Sequence, residues 1–291
     1  MISFGGGGMK GFAYAGALDE LRKRHAIDWG ARCPPLKVVY GCSIGAIVGL
    51  ALSVGYTTTE LIDLVNAIKL DDIFMFDPVR FFSSIGDTSV SALGMDDGNK
   101  LRSYLFELVC KKMSPCTLRE LFEKTGTDLR VHATNISSAT PITFTHSTHP
   151  CMSVIDAVYA SAALPPFFPP LEYDGALYAD GGITQHTEEK CITFGLKSAP
   201  LAISDDLNQW PWPLASYLDR VLRMILPAHD EPHVCIQSGT SAVIKFGDMT
   251  DMKRALLQAG RDAISEHGRM HSLCLDQEGH GDARSLTAPR Q

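Results

Sequence analysis

Twice within its first 54 residues the chain passes from a short apolar run, through glycines, into a helical pattern. Ile2-Ser3-Phe4 is a strand candidate, and Gly5 to Gly8 break it. A helix is expected from Met9, because Tyr14, Leu18 and Leu21 share one face, with Arg22, Lys23 and Arg24 in its last turn. Pro34-Pro35 end the connection. Leu36 to Tyr40 then reads as a buried, β-branched strand. Gly41-Cys42-Ser43 follow, and a second helix runs to about Val54, kept thin by Gly45, Ala46, Gly49 and Ala51. Strand and helix alternating at this short spacing leave few solutions. The strands lie parallel in one sheet and the helices cross over its faces. The fold class is therefore α/β, with a mostly parallel central sheet flanked by helices.

The rest of the chain continues in kind. Helices are expected over Thr59 to Lys69, Gly98 to Lys111, Thr117 to Lys124, Ser153 to Ala163, Leu214 to Ile225 and Asp251 to Glu266. Strands are expected over Leu129 to Asn135, Pro141 to His146, Leu177 to Ala179, Lys190 to Phe194 and His233 to Gln237. No linker-like change of composition divides the 291 residues, and 45% of them are hydrophobic, enough for a sizeable core. One domain over residues 1–272 is expected, followed by a polar, glycine-rich tail over 273–291.

Charge narrows the partners. The formal balance is −7, which makes nucleic acid a poor default partner. No run approaches the roughly 20 apolar residues that span a bilayer. The start lacks the basic and apolar regions of a secretory signal, so the expected location is the cytoplasm, with peripheral contact at membranes as a transient state. The eight cysteines contain no Cys-x-x-Cys pair, and reduced thiols are the expected form.

Gly41-Cys42-Ser43-Ile44-Gly45 sits at a strand-to-helix turn. A nucleophilic serine must project from a sharp turn, which requires nearly bare neighbours two residues away. The helix behind it aims its positive end at Ser43. Gly5-Gly6-Gly7-Gly8-Met9-Lys10-Gly11 is a second signal. Successive glycines expose backbone N–H groups that can hold a phosphate or an acyl oxyanion. The letters also fit a dinucleotide fingerprint, but the next strand ends in Tyr40-Gly41-Cys42-Ser43 rather than in an acid, and no Walker A lysine follows. A serine needs a base, and Asp180-Gly181-Gly182 after a short strand is the candidate, although Asp-Gly is also a common turn pair. His146-x-x-His149-x-Cys151 has loose metal-ligand spacing that nothing else completes, so these read as solvated loop residues.

Together, three motifs resemble the patatin-like phospholipase family: Gly6-Gly7-Gly8-Met9-Lys10-Gly11, Gly41-Cys42-Ser43-Ile44-Gly45 and Asp180-Gly181-Gly182. Ala133-Thr134-Asn135 and the run Ala160-Ser161-Ala162-Ala163-Leu164-Pro165-Pro166-Phe167-Phe168-Pro169-Pro170 are similar as well. Two departures stand out. Family members often carry asparagine and proline after Asp-Gly-Gly, where this chain has Ile183-Thr184-Gln185-His186. They often carry an acid where this chain has Gly5.

The resemblance implies a three-layer fold and a Ser43/Asp180 dyad that works without metal or cofactor. It implies an oxyanion hole of the Gly6, Gly7 and Gly8 amides. Gly11, Gly41, Gly45, Gly181 and Gly182 support the motifs; Lys10 either fixes the loop and favours the anion or is a solvated residue at a helix start. It also implies a lipid ester substrate: phospholipid, lysophospholipid or glyceride. Phe74, Phe76, Phe81 and Phe82, and Phe167 with Phe168, are candidates for an acyl channel, an interfacial patch or plain core. Two rival readings are an α/β-hydrolase with a Ser-His-acid triad, for which His271 and His280 are the late histidines, and a catalytically inactive lipid- or nucleotide-binding module.

Overall fold

The computed structural model describes residues 1–75, 89–184, 191–197, 232–239 and 249–266. Five strands run parallel: β1 (Ile2–Phe4), β2 (Val38–Cys42), β3 (Asp128–Asn135), β7 (Ile192–Lys197) and β8 (Val234–Gln237). β4 (Thr140–Phe144) and β6 (Ala176–Asp180) lie antiparallel to β3, and β5 (Leu171–Tyr173) lies antiparallel to β6. The order is β5-β6-β3-β2-β1-β7-β8, with β4 also paired to β3. The parallel centre follows the sequence pattern. The antiparallel end goes beyond it, because β5 is three residues joined to β6 through Asp174 and Gly175, both at positive φ.

The helices are α1 (Phe12–His25), α2 (Ile44–Val54), α3 (Thr58–Ala67), α4 (Asn99–Cys110), α5 (Leu118–Thr125), α6 (Val154–Ala162) and α7 (Thr250–Glu266). Thr57 and Thr117 start α3 and α5 through full capping boxes with Glu60 and Glu120. The helix expected from Met9 instead opens as a 3-10 turn over Gly8–Gly11, and α1 begins only at Phe12. The second strand lies two residues later than Leu36 to Tyr40, so it runs directly into Ser43. The helix expected over Leu214 to Ile225 and the boundary expected at 272/273 lie outside the described residues.

The sheet register places the site. Gly41 and Cys42 of β2 pair with Val131 and His132 of β3, and β4 pairs with the same two residues from the other side. β4 continues along Ala133 to Asn135, where β6 also pairs with β3. Each strand has only two hydrogen-bonding edges, so β6 must occupy the edge that β2 has just left. β2 and β6 therefore meet end to end. Cys42 faces His132, and Asp180 faces Ala133, one position further along β3.

Candidate active site

Ser43 stands at the junction of β2 and α2 with φ 53 and ψ −123, strained values for a residue with a side chain. Its neighbours make that conformation possible. A Cβ at Gly45 would lie 2.2 Å from the Phe4 carbonyl oxygen, and one at Gly41 would lie 2.5 Å from Ala46 Cα. The start of α2 thus sits directly on the end of β1. The Ser43 N–H donates to Ser161 Oγ at 2.9 Å, and Ser161 is fully buried. The Ser43 carbonyl accepts from Ala46 N at 2.9 Å and so opens α2.

Asp180 ends β6 and is 3% exposed. Its side chain accepts a hydrogen bond at 2.7 Å from the Gly182 N–H, and the Ser43 side chain is close enough to favour its charged form. Its backbone is held too: its N–H donates to the Ala163 carbonyl at 3.0 Å and its carbonyl accepts from Thr134 Oγ1 at 2.9 Å. Thr134 Oγ1 has given its proton to that carbonyl, so Thr184 Oγ1 donates to it at 2.8 Å. This threonine pair occupies the wall where the sequence departs from its relatives. Burial raises the Asp180 carboxyl to about 6, although Ser43 and the Gly182 bond pull it down. A carboxylate this basic beside a serine is suited to accept a proton near neutral pH.

The glycine turn packs beside it. The Gly5 N–H donates to the Phe194 carbonyl at 3.0 Å, and its own carbonyl accepts from Tyr14 Oη at 2.9 Å. These bonds pin the start of the turn. Burial, and then the Asp180 charge, push the Cys42 thiol well above its ordinary range, so it stays protonated beside the serine. Gly8, at φ 58, lines the same cavity as Ser43. Gly11 admits the Ile44 side chain, which a Cβ would meet at 2.3 Å. Lys10 is 5% exposed, which overturns the solvated reading. Gly181 packs flat against β3, where a Cβ would lie 2.4 Å from the His132 carbonyl oxygen.

A cavity of about 140 Å³ leads away from Ser43 and Gly8. Its walls are almost wholly apolar, from faces of α1, α2, α3 and α4 and from Leu164 and Phe168. Phe74 lines it as well, and Phe167 packs edge-on against Phe74. Phe76, Phe81 and Phe82 lie outside the described residues.

Other sequence candidates go elsewhere. His146 Nδ1 bonds Asp128 at 2.8 Å and its ring stacks on Phe122, so it is not a solvated loop residue; His149 bonds Thr148 instead. His271 and His280 lie outside the described residues. The buried histidine near the site is His132. Its Nδ1 meets Thr143 at 3.0 Å, its Nε2 has no hydrogen-bond partner, and burial lowers it to about 4. It makes no hydrogen bond to Ser43. Sequence reading gave Ser161 no individual role. Its only signal was its place in the small-residue run before the prolines.

The family model described as Patatin-like phospholipase matches residues 2–187. The chain belongs to this family. The patatin-like chain is 30% identical over 179 residues to "Probable lipid hydrolase 463L" of Invertebrate iridescent virus 6, covering 61% of this chain and 58% of that relative. It is 27% identical over 281 residues to the uncharacterized protein R571 of Acanthamoeba polyphaga mimivirus, covering 92% and 90%. Among solved structures, VipD from Legionella pneumophila superposes with a TM-score of 0.51 at 15% identity, over 93% of this chain and 66% of that one. That likeness extends to the fold, a mostly parallel mixed sheet flanked by helices. No helix among the described residues is long and apolar enough to cross a membrane.

Proposed function

We propose that the protein is a lipid acyl hydrolase that cleaves carboxylic esters through a Ser43/Asp180 dyad. The observation that carries this reading is a strained serine beside a buried carboxylate, at an apolar cavity. Family membership and the lipid hydrolase name of a relative support the substrate class.

The chemistry follows from the placement. Ser43 Oγ attacks the ester carbonyl carbon as Asp180 takes its proton. The carbonyl oxygen becomes an oxyanion beside the glycine turn. The Gly6, Gly7 and Gly8 amides are the donors we assign; each such bond is worth about 3 kcal/mol of barrier. The α2 N-terminus adds positive potential. Collapse expels the alcohol, which takes the proton from Asp180, and the acyl group stays on Ser43. Water, deprotonated by Asp180, then attacks the acyl-enzyme; collapse releases the fatty acid, and Asp180 returns the proton to the Ser43 oxygen. The apolar cavity receives the acyl chain and leaves the polar part of the lipid outside.

The test is fatty-acid release from phospholipid and from p-nitrophenyl esters. Ser43→Ala is expected to abolish it, Asp180→Asn to reduce it at least a hundredfold, and a fluorophosphonate probe to label the wild type at Ser43 only. Wild-type turnover in either variant removes the dyad. Absence of labelling returns the chain to a lipid-binding role.

A further inference from the structure

The cavity beside Ser43 is small, about 140 Å³, and runs along one helix. Ile44, Ile47, Val48 and Ala51 line it from α2. They fall at i, i+3, i+4 and i+7, so the cavity follows one face of that helix from Ser43 to its last turn. Eight residues of helix advance about 12 Å. Beyond Ala51 the helices close together. Tyr56, just after α2, donates its hydroxyl to the Leu108 carbonyl of α4 at 2.9 Å, and Lys112 Nζ sits 4.8 Å from its ring centre. Leu108 lines the cavity at this end.

The side wall is thin. Leu64 and Ile68, from α3 and its end, and Tyr104 of α4 line the cavity from within. The same three residues line an outer groove of about 550 Å³, shared with Asp71, Asp72, Lys100, Glu107 and Lys111. The wall is held in place. Lys253 of α7 donates to the carbonyls of Asn66 and Ile68, and Lys100 Nζ bonds the Asp71 carbonyl at 2.7 Å. Burial pushes the Tyr104 phenol up to about 12, with Tyr56 and Asp72 adding to it. On one side of this layer the lining is hydrocarbon, and on the other it is charged.

We propose that this cavity is an acyl-chain ruler, bounded by Ala51 at its end and by Leu64, Ile68 and Tyr104 at its side, that selects acyl groups of about six to ten carbons. The inference rests on the acyl-hydrolase reading above and specifies its substrate. Two measures agree on the size. A cavity of about 150 Å³ lined by aliphatic and aromatic side chains holds one benzene, six carbons. An extended chain with carbon–carbon bonds of about 1.5 Å advances about 1.3 Å per carbon, so about 12 Å takes nine. A sixteen-carbon chain overruns this length by several carbons, and the layer beside it separates the cavity from a charged groove.

The experiment measures kcat/KM for p-nitrophenyl esters from four to sixteen carbons, kept below micelle-forming concentrations. Wild type is expected to peak between six and ten carbons and to fall at least tenfold by sixteen. Tyr104→Ala opens the wall and is expected to raise the sixteen-to-eight-carbon ratio at least fivefold. Should that variant fail to fold, Leu64→Ala trims the same wall. Ala51→Leu is expected to move the maximum to shorter chains. A wild-type profile that stays flat or rises to sixteen carbons overturns the ruler, as does an unchanged profile in both kinds of variant. Calorimetry with octanoate and palmitate on Ser43→Ala separates the two readings. Preferential octanoate binding by a protein whose wild type hydrolyses no ester keeps the ruler and removes the hydrolase. Hydrolysis with palmitate bound as well as octanoate does the reverse.

Discussion

The turns after β1 and β2 are built from the same parts and do opposite jobs. Each leaves a parallel strand, passes through glycines and enters a helix. After β1, four glycines in a row remove side chains, and what remains is backbone N–H. After β2, the glycines at 41 and 45 remove side chains only around Ser43, so that one hydroxyl can stand at φ 53. The two turns also hold each other. Gly45 rests on the Phe4 carbonyl, and Gly11 receives Ile44. A site that needs one nucleophile and several donors thus takes them from neighbouring strands of one sheet.

The contact between the turns gives the largest expected effect. In Gly45→Ala the new methyl meets backbone, the Phe4 carbonyl oxygen at 2.2 Å and the Gly5 oxygen at 2.8 Å, and neither can rotate away. Ester hydrolysis is expected to fall by about a thousandfold or more, with lowered thermal stability. Gly49→Ala is the control on the same helix. There a Cβ meets only side chains, none nearer than 3.3 Å, and near-normal activity is expected. Similar losses in the two variants break the claim that the turns interlock at position 45.

Gly8→Ala probes the β1 turn alone. Its φ of 58 costs a residue with a Cβ about 1–2 kcal/mol, and relaxing that strain turns the amide. A fall in kcat of about a hundredfold is expected, the worth of one oxyanion donor, with fluorophosphonate labelling slowed but not lost. An unchanged kcat means that the donors lie elsewhere.

Much of this was legible in the sequence, and the reasons are local. Gly41, Ser43 and Gly45 declare themselves because a strained turn restricts three residues within five. The parallel centre follows from strand-helix alternation, which needs no long-range information. The partnership of Ser43 and Asp180 is different. Proximity alone could not link them; it comes from β2 and β6 sharing one edge of β3, and that register depends on β4 filling the other edge. β5 was invisible for a related reason: three residues are too few for an alternating pattern. Burial also hid from local reading. Lys10 looks like a solvated helix-start residue until the sheet and helices close over it.

Ser161 sharpens the comparison from the side of the second turn. The proposed oxyanion donors belong to the β1 turn, whereas the amide of Ser43 is given to Ser161 Oγ. Ser161→Ala leaves that N–H without its acceptor, which costs about 1–3 kcal/mol where it is buried. The expected result is a fall in kcat of about tenfold with KM little changed, and partial recovery in Ser161→Thr, which restores the hydroxyl. A loss in KM alone assigns Ser161 to substrate binding instead.

The smallest effect is that of pH, and it reads the carboxylate directly. Asp180 must be ionised to take a proton, and burial holds it near 6. The rate is therefore half-maximal near pH 6 and falls about tenfold per unit below it, with little change from 7 to 8. The sign for stability is the reverse. A carboxyl raised on folding contributes stability below its unfolded value, near 4, that is lost as pH rises through 6. Asp180→Asn removes the buried charge, so it is expected to be more stable than wild type at pH 8, by up to about 2 kcal/mol, with the gap closing towards pH 4. Ser43→Ala removes a group that lowers the carboxyl, so its stability is expected to start falling near pH 4 as in wild type but to go on falling to a higher pH. Thermal unfolding of the three proteins between pH 4 and 8 measures this. Identical curves for wild type and Ser43→Ala show that the hydroxyl and the carboxylate do not sense each other, and the two ends of β2 and β6 then meet without chemical consequence.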